Sequence, residues 1–155
     1  LAAAGAASRN VVLTGADDNL FVNCIIGTDT TTRSAANASI ELASGAARNK
    51  FVDCELPLRT SSATSLWGLV ANASGCDRYT LFKNSLFLNA MDSGSTALTG
   101  AFTLAASAGG CIVVNGGGMV GDGSANWGTD ATSLAQMYVD NVGGAATAGL
   151  MLNPT

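Results

Sequence analysis

The feature of this sequence that most limits its fold is a repeat with a period of about 30 residues. "NLFVNCII", residues 19–26, returns as "NKFVDCEL", residues 49–56. With the fourth copy, "CIVVNGGGM", the aligned aromatic column reads Phe21, Phe51, Phe82 and Val113. Self-similarity at a fixed period indicates short units that stack on one another and share one core.

A polar residue follows the aromatic column by two positions in every copy, as Asn23, Asp53, Asn84 and Asn115. A straight strand alternates its faces, so Phe51 and Asp53 would lie on the same side of a sheet. Asn and Asp tolerate a left-handed backbone and form local hydrogen bonds. The pattern therefore predicts strands that bend at this position.

The bend assigns the remaining side chains to the inside or the outside of the molecule. In the second copy we expect Phe51, Cys54 and Leu56 to point inward, with Val52 and Glu55 outside. The same rule places Phe82, Ser85 and Phe87 inside and Lys83 outside. The outward columns are expected to read Val22, Val52, Lys83 and Val114, and then Ile25, Glu55, Leu86 and Gly117.

A second apolar run precedes each copy, and loops rich in Ser, Thr and Ala connect the units. Units too short for a helix, each with one inward row, predict an all-β fold, a parallel β-helix of about four to five rungs, where a rung is one turn of the coil. The fifth unit is expected to start with "SLAQMYVDN" and to use "GLMLNP" as its second strand. A propeller blade or a helical solenoid fits such bent, helix-free units less well. We expect residues 1–10 to form a capping or extended segment and residues 11–155 a single domain.

The composition argues against two classes of partner. Only 12% of the residues are charged and the net charge is −4, so there is no basic stripe for a phosphate backbone and no nucleic-acid partner is expected. No run of about 18 apolar residues occurs that could cross a bilayer, so no membrane partner is expected either. A chain with so few charges is expected to cover part of its surface with other protein.

The cysteines are expected to be structural. The chain has four, with no C-x-x-C spacing and no histidine to complete a zinc site, so neither a metal nor another cofactor is expected. An even number of cysteines would permit two disulfides, but reduced thiols are the expectation. Cys24 and Cys54 occupy one column of the repeat, where a small core residue is required.

Catalytic patterns are weak in this sequence, and no catalytic residue is predicted. The lack of histidine excludes Ser-His-Asp and Cys-His arrangements and leaves paired carboxylates, which act on carbohydrates. Asp17 and Asp18 are the best such pair, although turn acids are usually solvated or act as local caps. "GGGMVG", residues 116–121, is followed by a loop instead of the helix that a nucleotide site needs.

Loop residues offer possible contacts with a partner. Arg33 and Arg59 are expected at matched positions of successive loops, where they could bind an anion or an acidic neighbour. Trp67 and Trp127 are expected to pack, or to anchor a protein partner.

The pattern N-x-F-x-N-C-x-I, present as "NLFVNCII" and "NKFVDCEL", resembles that of right-handed parallel β-helix proteins. This group includes pectin-degrading enzymes, tailspikes and structural proteins of tailed bacteriophages. Richness in Ala, Ser and Thr, low charge and the lack of histidine are most similar to small virion proteins that decorate or cement a capsid. The acidic and basic clusters of the polysaccharide-active members are not matched.

The resemblance implies a bacteriophage decoration protein without enzymatic activity. It would be a homotrimer, assembled in the host cytoplasm and bound to the major capsid protein on the outer surface of the virion. The alternative is a carbohydrate-binding or carbohydrate-cleaving module of a tail fibre, a tailspike or a secreted polysaccharide lyase.

Overall fold

The computed structural model describes residues 9–33, 38–43, 45–60, 70–72, 80–91, 102–104, 112–121, 137–140 and 143–145. These residues form strands, turns and bends, and none of them lies in a helix. Predictions for residues 1–8, for Trp67 and Trp127 and for Cys76 and Cys111 lie outside the described residues.

The described parts of the chain form twelve strands. They are β1 (Val11–Leu13), β2 (Leu20–Val22), β3 (Thr28–Arg33), β4 (Ile40–Leu42), β5 (Lys50–Val52), β6 (Glu55–Thr60), β7 (Val70–Asn72), β8 (Thr80–Met91), β9 (Phe102–Leu104), β10 (Ile112–Gly121), β11 (Met137–Asp140) and β12 (Gly143–Ala145).

The strands form two sheets in which every pairing is parallel. One sheet has the order β1-β4-β7-β9 and contains the apolar runs that precede the repeats. The other has the path β11-β10-β8-β5-β2, with β3 beside β6, β6 beside β8 and β12 beside β10. Each strand thus pairs with its counterpart one repeat further along the chain. The prediction of an all-β chain of stacked parallel strands is confirmed for the described residues.

Left-handed backbone at the polar column bends the strands. Asn23, Asp53 and Asn84 have φ angles of 54°, 53° and 49°. Strands β2 and β5 end at the residue immediately before the bend. The predicted bend is therefore confirmed in the first three repeats, because Asn and Asp accept this conformation at lower cost than most residues.

The fourth repeat lies one residue away from its predicted register. Val114, not Val113, pairs with Phe82, and Asn115 pairs with Lys83. Gly116 and Gly117 hold the positive φ angles, 73° and 82°. The prediction that Asn115 forms the bend is wrong, because the left-handed backbone begins at Gly116. The prediction that Val114 points outward is also wrong, since Val114 is fully buried. Glycine adopts this backbone without the cost of a Cβ, so the fourth bend needs no Asn or Asp.

Two further assignments differ from the sequence analysis. Residues 28–33 and 55–60 are strands, although Ser/Thr/Ala-rich loops were expected to begin within them. The β-branched threonines there favour extended backbone. Met137–Asp140 pairs with residues 112–115 of β10, so it takes the place of the bent strand in the fifth unit and not that of the preceding run. Its predicted partner "GLMLNP" lies outside the described residues.

A column of aromatic rings forms the centre of the core. The Phe21 and Phe51 ring centroids are 4.7 Å apart and nearly parallel, and those of Phe51 and Phe82 are 4.8 Å apart. Phe87 meets Phe82 edge to face at 5.3 Å. Because the ring spacing equals the spacing of neighbouring strands, about 4.8 Å, each of the first three repeats adds one ring to the column. The column confirms the predicted register of the first three repeats.

The inward and outward assignments hold across the bend in the second and third repeats. Cys54, Leu56 and Ser85 are buried together with the aromatic column. Glu55 and Lys83 are exposed. Both charged side chains therefore remain in solvent, as the bend predicts.

A buried asparagine joins the first two repeats. Asn49 accepts hydrogen bonds through Oδ1 from the backbone N–H of Asn19 (3.1 Å) and from Asn19 Nδ2 (2.9 Å). Its own Nδ2 donates to the carbonyl oxygen of Ala16 at 2.8 Å. Asn49 is completely buried, so no water can replace these partners. It thereby fixes the turn that precedes β2 to the next repeat.

Asn49→Ala is expected to lower the free energy of unfolding by about 1 to 3 kcal/mol, because three hydrogen bonds are lost and partly buried groups of Asn19 and Ala16 lose their partners. Urea denaturation followed by circular dichroism would measure the change. Asn19→Ala is the control, since Asn19 is exposed and a smaller loss is expected there. Equal losses at both positions would contradict this role of Asn49.

Candidate interaction surface

The acid pair singled out in the sequence is engaged by an arginine. Arg48 Nε and Nη2 lie 2.7 and 2.6 Å from the two carboxylate oxygens of Asp18, and Nη2 lies 3.4 Å from Asp17 Oδ2. The hydrogen bond with Asp18 is the main reason why the pKa of Arg48 is raised above its ordinary value. The two carboxylates share one cation instead of facing each other across an open cleft.

Backbone geometry explains why these groups meet. Asp17 and Ala47 form a parallel bridge, which places Asp18 and Arg48 at matched positions in stacked turns. Both residues have positive φ angles, 58° and 54°. The sequence analysis missed Arg48. The signal was the position of "AR", residues 47–48, one repeat after "DD", residues 17–18.

The column after the bend contains two free thiols and a hydroxyl that share one geometry. Cys24 Sγ donates to the carbonyl of Val22, and Cys54 Sγ to that of Val52, each at 3.4 Å. Ser85 Oγ donates to the matching carbonyl of Lys83 at 3.3 Å. Each group therefore points in the same direction from its own repeat.

The two thiols differ in exposure. Cys24 is half-buried and Cys54 is buried, and both are free cysteines. Burial raises the pKa of the Cys54 thiol above its ordinary value, so Cys54 stays protonated at neutral pH. The prediction that both face the core is confirmed.

Large apolar side chains are exposed on the first repeat. Leu20, Val22 and Ile25 are 61%, 45% and 70% exposed. They flank Phe21 and Cys24, which turn inward, and we call these three residues the first-repeat face. Val22 and Ile25 were predicted to point outward. Leu20 was not singled out, although strand alternation beside Phe21 indicates its direction.

The first-repeat face differs from the same positions of the second repeat. There the matched residues are Lys50, Val52 and Glu55, of which Val52 is half-buried and the other two are exposed. Neither Lys50 nor Glu55 forms an ion pair with another described residue. The apolar exposure is therefore concentrated in the first repeat, with charges beside it.

The first-repeat face lies at the edge of a sheet. Within the described parts of the chain, β2 pairs with β5 on one side and with no strand on the other. An edge strand presents backbone N–H and C=O groups that can pair with another chain. Apolar side chains and open backbone groups thus occur together, which is a combination typical of protein–protein contacts.

Comparison with models of known protein families, with characterised proteins and with solved structures finds no match.

The described residues offer few other sites. They contain no group of three His, Cys, Asp or Glu side chains able to hold a metal ion. No helix suitable for crossing a bilayer occurs among them. Arg33 pairs with Thr60, and Arg59 pairs with Ala90. The prediction that the two arginines occupy matched positions is therefore wrong. The first-repeat face is therefore the strongest candidate for a functional surface.

Proposed function

We propose that this chain is a right-handed parallel β-helix of about four to five rungs that serves as a structural virion protein, decorating a bacteriophage capsid through protein–protein contacts. The observation that carries the proposal is the first-repeat face, Leu20, Val22 and Ile25, beside the edge of β2 that pairs with no other described strand. The stacked parallel strands and the resemblance of the repeat to phage β-helix proteins support the same function.

The energetics of the face favour a protein partner. Complete burial of an aliphatic side chain stabilises by about 1.5 to 3 kcal/mol, and these three side chains still expose about half or more of their area. Pairing along β2 would also satisfy backbone groups and fix the orientation of the partner. Exposed apolar side chains beside a strand edge can bind another protein without any catalytic residue.

Carbohydrate cleavage has less support. A glycosidase needs two carboxyl groups on opposite sides of the scissile bond, one of them with a raised pKa. Asp17 and Asp18 instead contact the same guanidinium group. This arrangement favours a structural role for the acid pair, which joins two successive turns.

The proposed assembly is a homotrimer bound to the major capsid protein on the outer surface of the virion. The shortage of charge in the chain, 12% of its residues, is the reason for expecting contacts with several protein neighbours. Binding of this kind would stabilise the shell, because a ligand that binds only the assembled state raises its stability.

The test is attachment to empty capsids assembled from the major capsid protein that is encoded with this chain. Wild type is expected to pellet with the capsids and to raise their melting temperature. The variant Leu20→Ser/Val22→Thr/Ile25→Thr is expected to lose at least about tenfold in affinity, equal to about 1.4 kcal/mol. Sedimentation of the free protein would give its oligomeric state.

Lys50→Gln/Lys83→Gln is the control, because it changes exposed charges and leaves the first-repeat face intact. It should attach as wild type does. A wild-type monomer that neither attaches to capsids nor changes their melting would contradict the proposal. So would release of new reducing ends from a polysaccharide panel, if Asp17→Asn or Asp18→Asn abolished that release.

A further inference from the structure

We infer that Cys24 and Cys54 form a two-coordinate site for a soft monovalent cation of the Cu(I) and Ag(I) class. The inference rests on the stacking of their thiols in successive repeats and is independent of the proposed virion function. The two residues are linked through the backbone, since the N–H of Glu55 donates to the carbonyl of Cys24 at 2.9 Å.

The distance between the thiols follows from the repeat geometry. Each Sγ donates to the carbonyl two residues earlier at the same distance, 3.4 Å, so the two side chains have equivalent orientations. Neighbouring strands lie about 4.8 Å apart, and the Phe21 and Phe51 rings of the same two repeats are 4.7 Å apart. Equivalent atoms of Cys24 and Cys54 are therefore about one strand spacing apart.

Two thiols can form a disulfide or bind a metal ion together, and the distance between them bears on which of the two occurs. A disulfide needs sulfur atoms about 2.05 Å apart, so both side chains would have to leave their present hydrogen bonds. A cation held in line between two thiolates needs sulfur atoms about 4.6 Å apart if its bonds to sulfur are as long as the zinc–thiolate bond, about 2.3 Å. The ladder spacing fits the cation with both side chains in their present orientations, whereas a disulfide would require both side chains to rotate.

The surroundings also suit a soft ion of low coordination number. Thiolate ligands select Cu(I) over hard cations. Both cysteines contact the apolar core, and the described residues place no third Cys, His, Asp or Glu with them, so a tetrahedral zinc site is not formed. Cys24 is half-buried at the open edge and gives the ion a route to Cys54.

Binding converts two thiols and one cation into a thiolate–metal–thiolate unit and releases two protons to solvent. No oxidant or reductant is required. The affinity should therefore rise with pH, as for other thiolate sites. The backbone carbonyls that now accept from the thiols lose only weak hydrogen bonds.

Ag(I) is the probe, used in the background Cys76→Ser/Cys111→Ser so that only the pair remains. With excess methionine as competitor, native mass spectrometry should show one Ag(I) per chain, and both thiols should become resistant to alkylation. Cys24→Ser and Cys54→Ser should each weaken binding by at least about 100-fold, because the second ligand acts intramolecularly. Serine suits this column, as Ser85 shows in the third repeat.

A relocation variant tests the spacing directly. Cys24→Ser/Ser85→Cys moves the thiol pair one repeat inward with the same geometry. It should restore one Ag(I) per chain when the protein is refolded in the presence of the ion, because positions 54 and 85 are both buried. Thermal melting would establish that each variant folds. If Cys54→Ser does not fold, the loss of Ag(I) binding in Cys24→Ser is the deciding measurement. The inference would be overturned by two ions per chain, by unchanged binding in Cys24→Ser, or by no recovery of binding in a folded relocation variant. Ready closure of a Cys24–Cys54 disulfide by oxidised glutathione would also overturn it.

Discussion

Phe51→Ala is expected to lower the free energy of unfolding by about 3 to 5 kcal/mol, the usual cost of emptying a large buried aromatic site. Phe51 is fully buried, and its ring stacks between Phe21 and Phe82 at 4.7 and 4.8 Å. Truncation removes both stacking contacts and leaves a cavity that backbone pairing on either side prevents from closing. Equilibrium denaturation in urea would measure the loss.

Phe21→Ala is the matched control for this prediction. Phe21 has the same backbone position in the first repeat, but it is half-buried, and among the described rings it stacks on Phe51 alone. The expected loss is therefore less than half of that for Phe51→Ala. If the two variants unfold at the same denaturant concentration, the aromatic column does not provide the core.

Gly117→Ala is expected to lower the free energy of unfolding by about 2 to 5 kcal/mol. Gly117 has a φ angle of 82°, where a Cβ adds about 1 to 2 kcal/mol of strain. That Cβ would also collide with the backbone carbonyl and N–H of Ser85 in the adjacent repeat. Backbone atoms held in a sheet cannot move aside cheaply, so overpacking adds a further cost of about 1 to 3 kcal/mol.

Gly15→Ala separates the two contributions. Gly15 also has a positive φ angle, 56°, but a Cβ there would meet no atom within 4 Å. Only the backbone strain should remain, about 1 to 2 kcal/mol. Thermal and urea unfolding of both variants would measure how much the close approach of the third and fourth repeats adds to the backbone strain. Equal costs would contradict the contribution of the close approach.

The sequence carries the repeat because side chains at matched positions must stack. Phe21, Phe51 and Phe82 could be aligned by eye, and the polar residue after each one indicated the bend. The fourth repeat could not be placed in this way, since Gly116 and Gly117 adopt the same backbone without a polar side chain. An alignment that follows Asn115 is therefore displaced by one residue from the true register.

The candidate surface was only partly predictable. The outward directions of Val22 and Ile25 follow from strand alternation and the bend. Their degree of exposure depends on what covers the edge of β2, and strand alternation gives no information about that cover. The contact of Arg48 with Asp18 required two turns to stack at matched positions with left-handed backbone. Such a contact depends on register, which single-residue chemistry does not reveal.

The constant offset between paired strands has a consequence for how the chain acquires its structure. Strand partners lie about one repeat apart in sequence throughout the stack, as in Phe21 with Phe51 and Phe51 with Phe82. The loop-closure entropy is therefore paid anew for each repeat and does not grow with the number of repeats. Folding can begin at any pair of adjacent repeats and spread in both directions, each added repeat using the last as its template. A longer stack of this kind would have a lower relative contact order than a short one, so added length need not slow its folding.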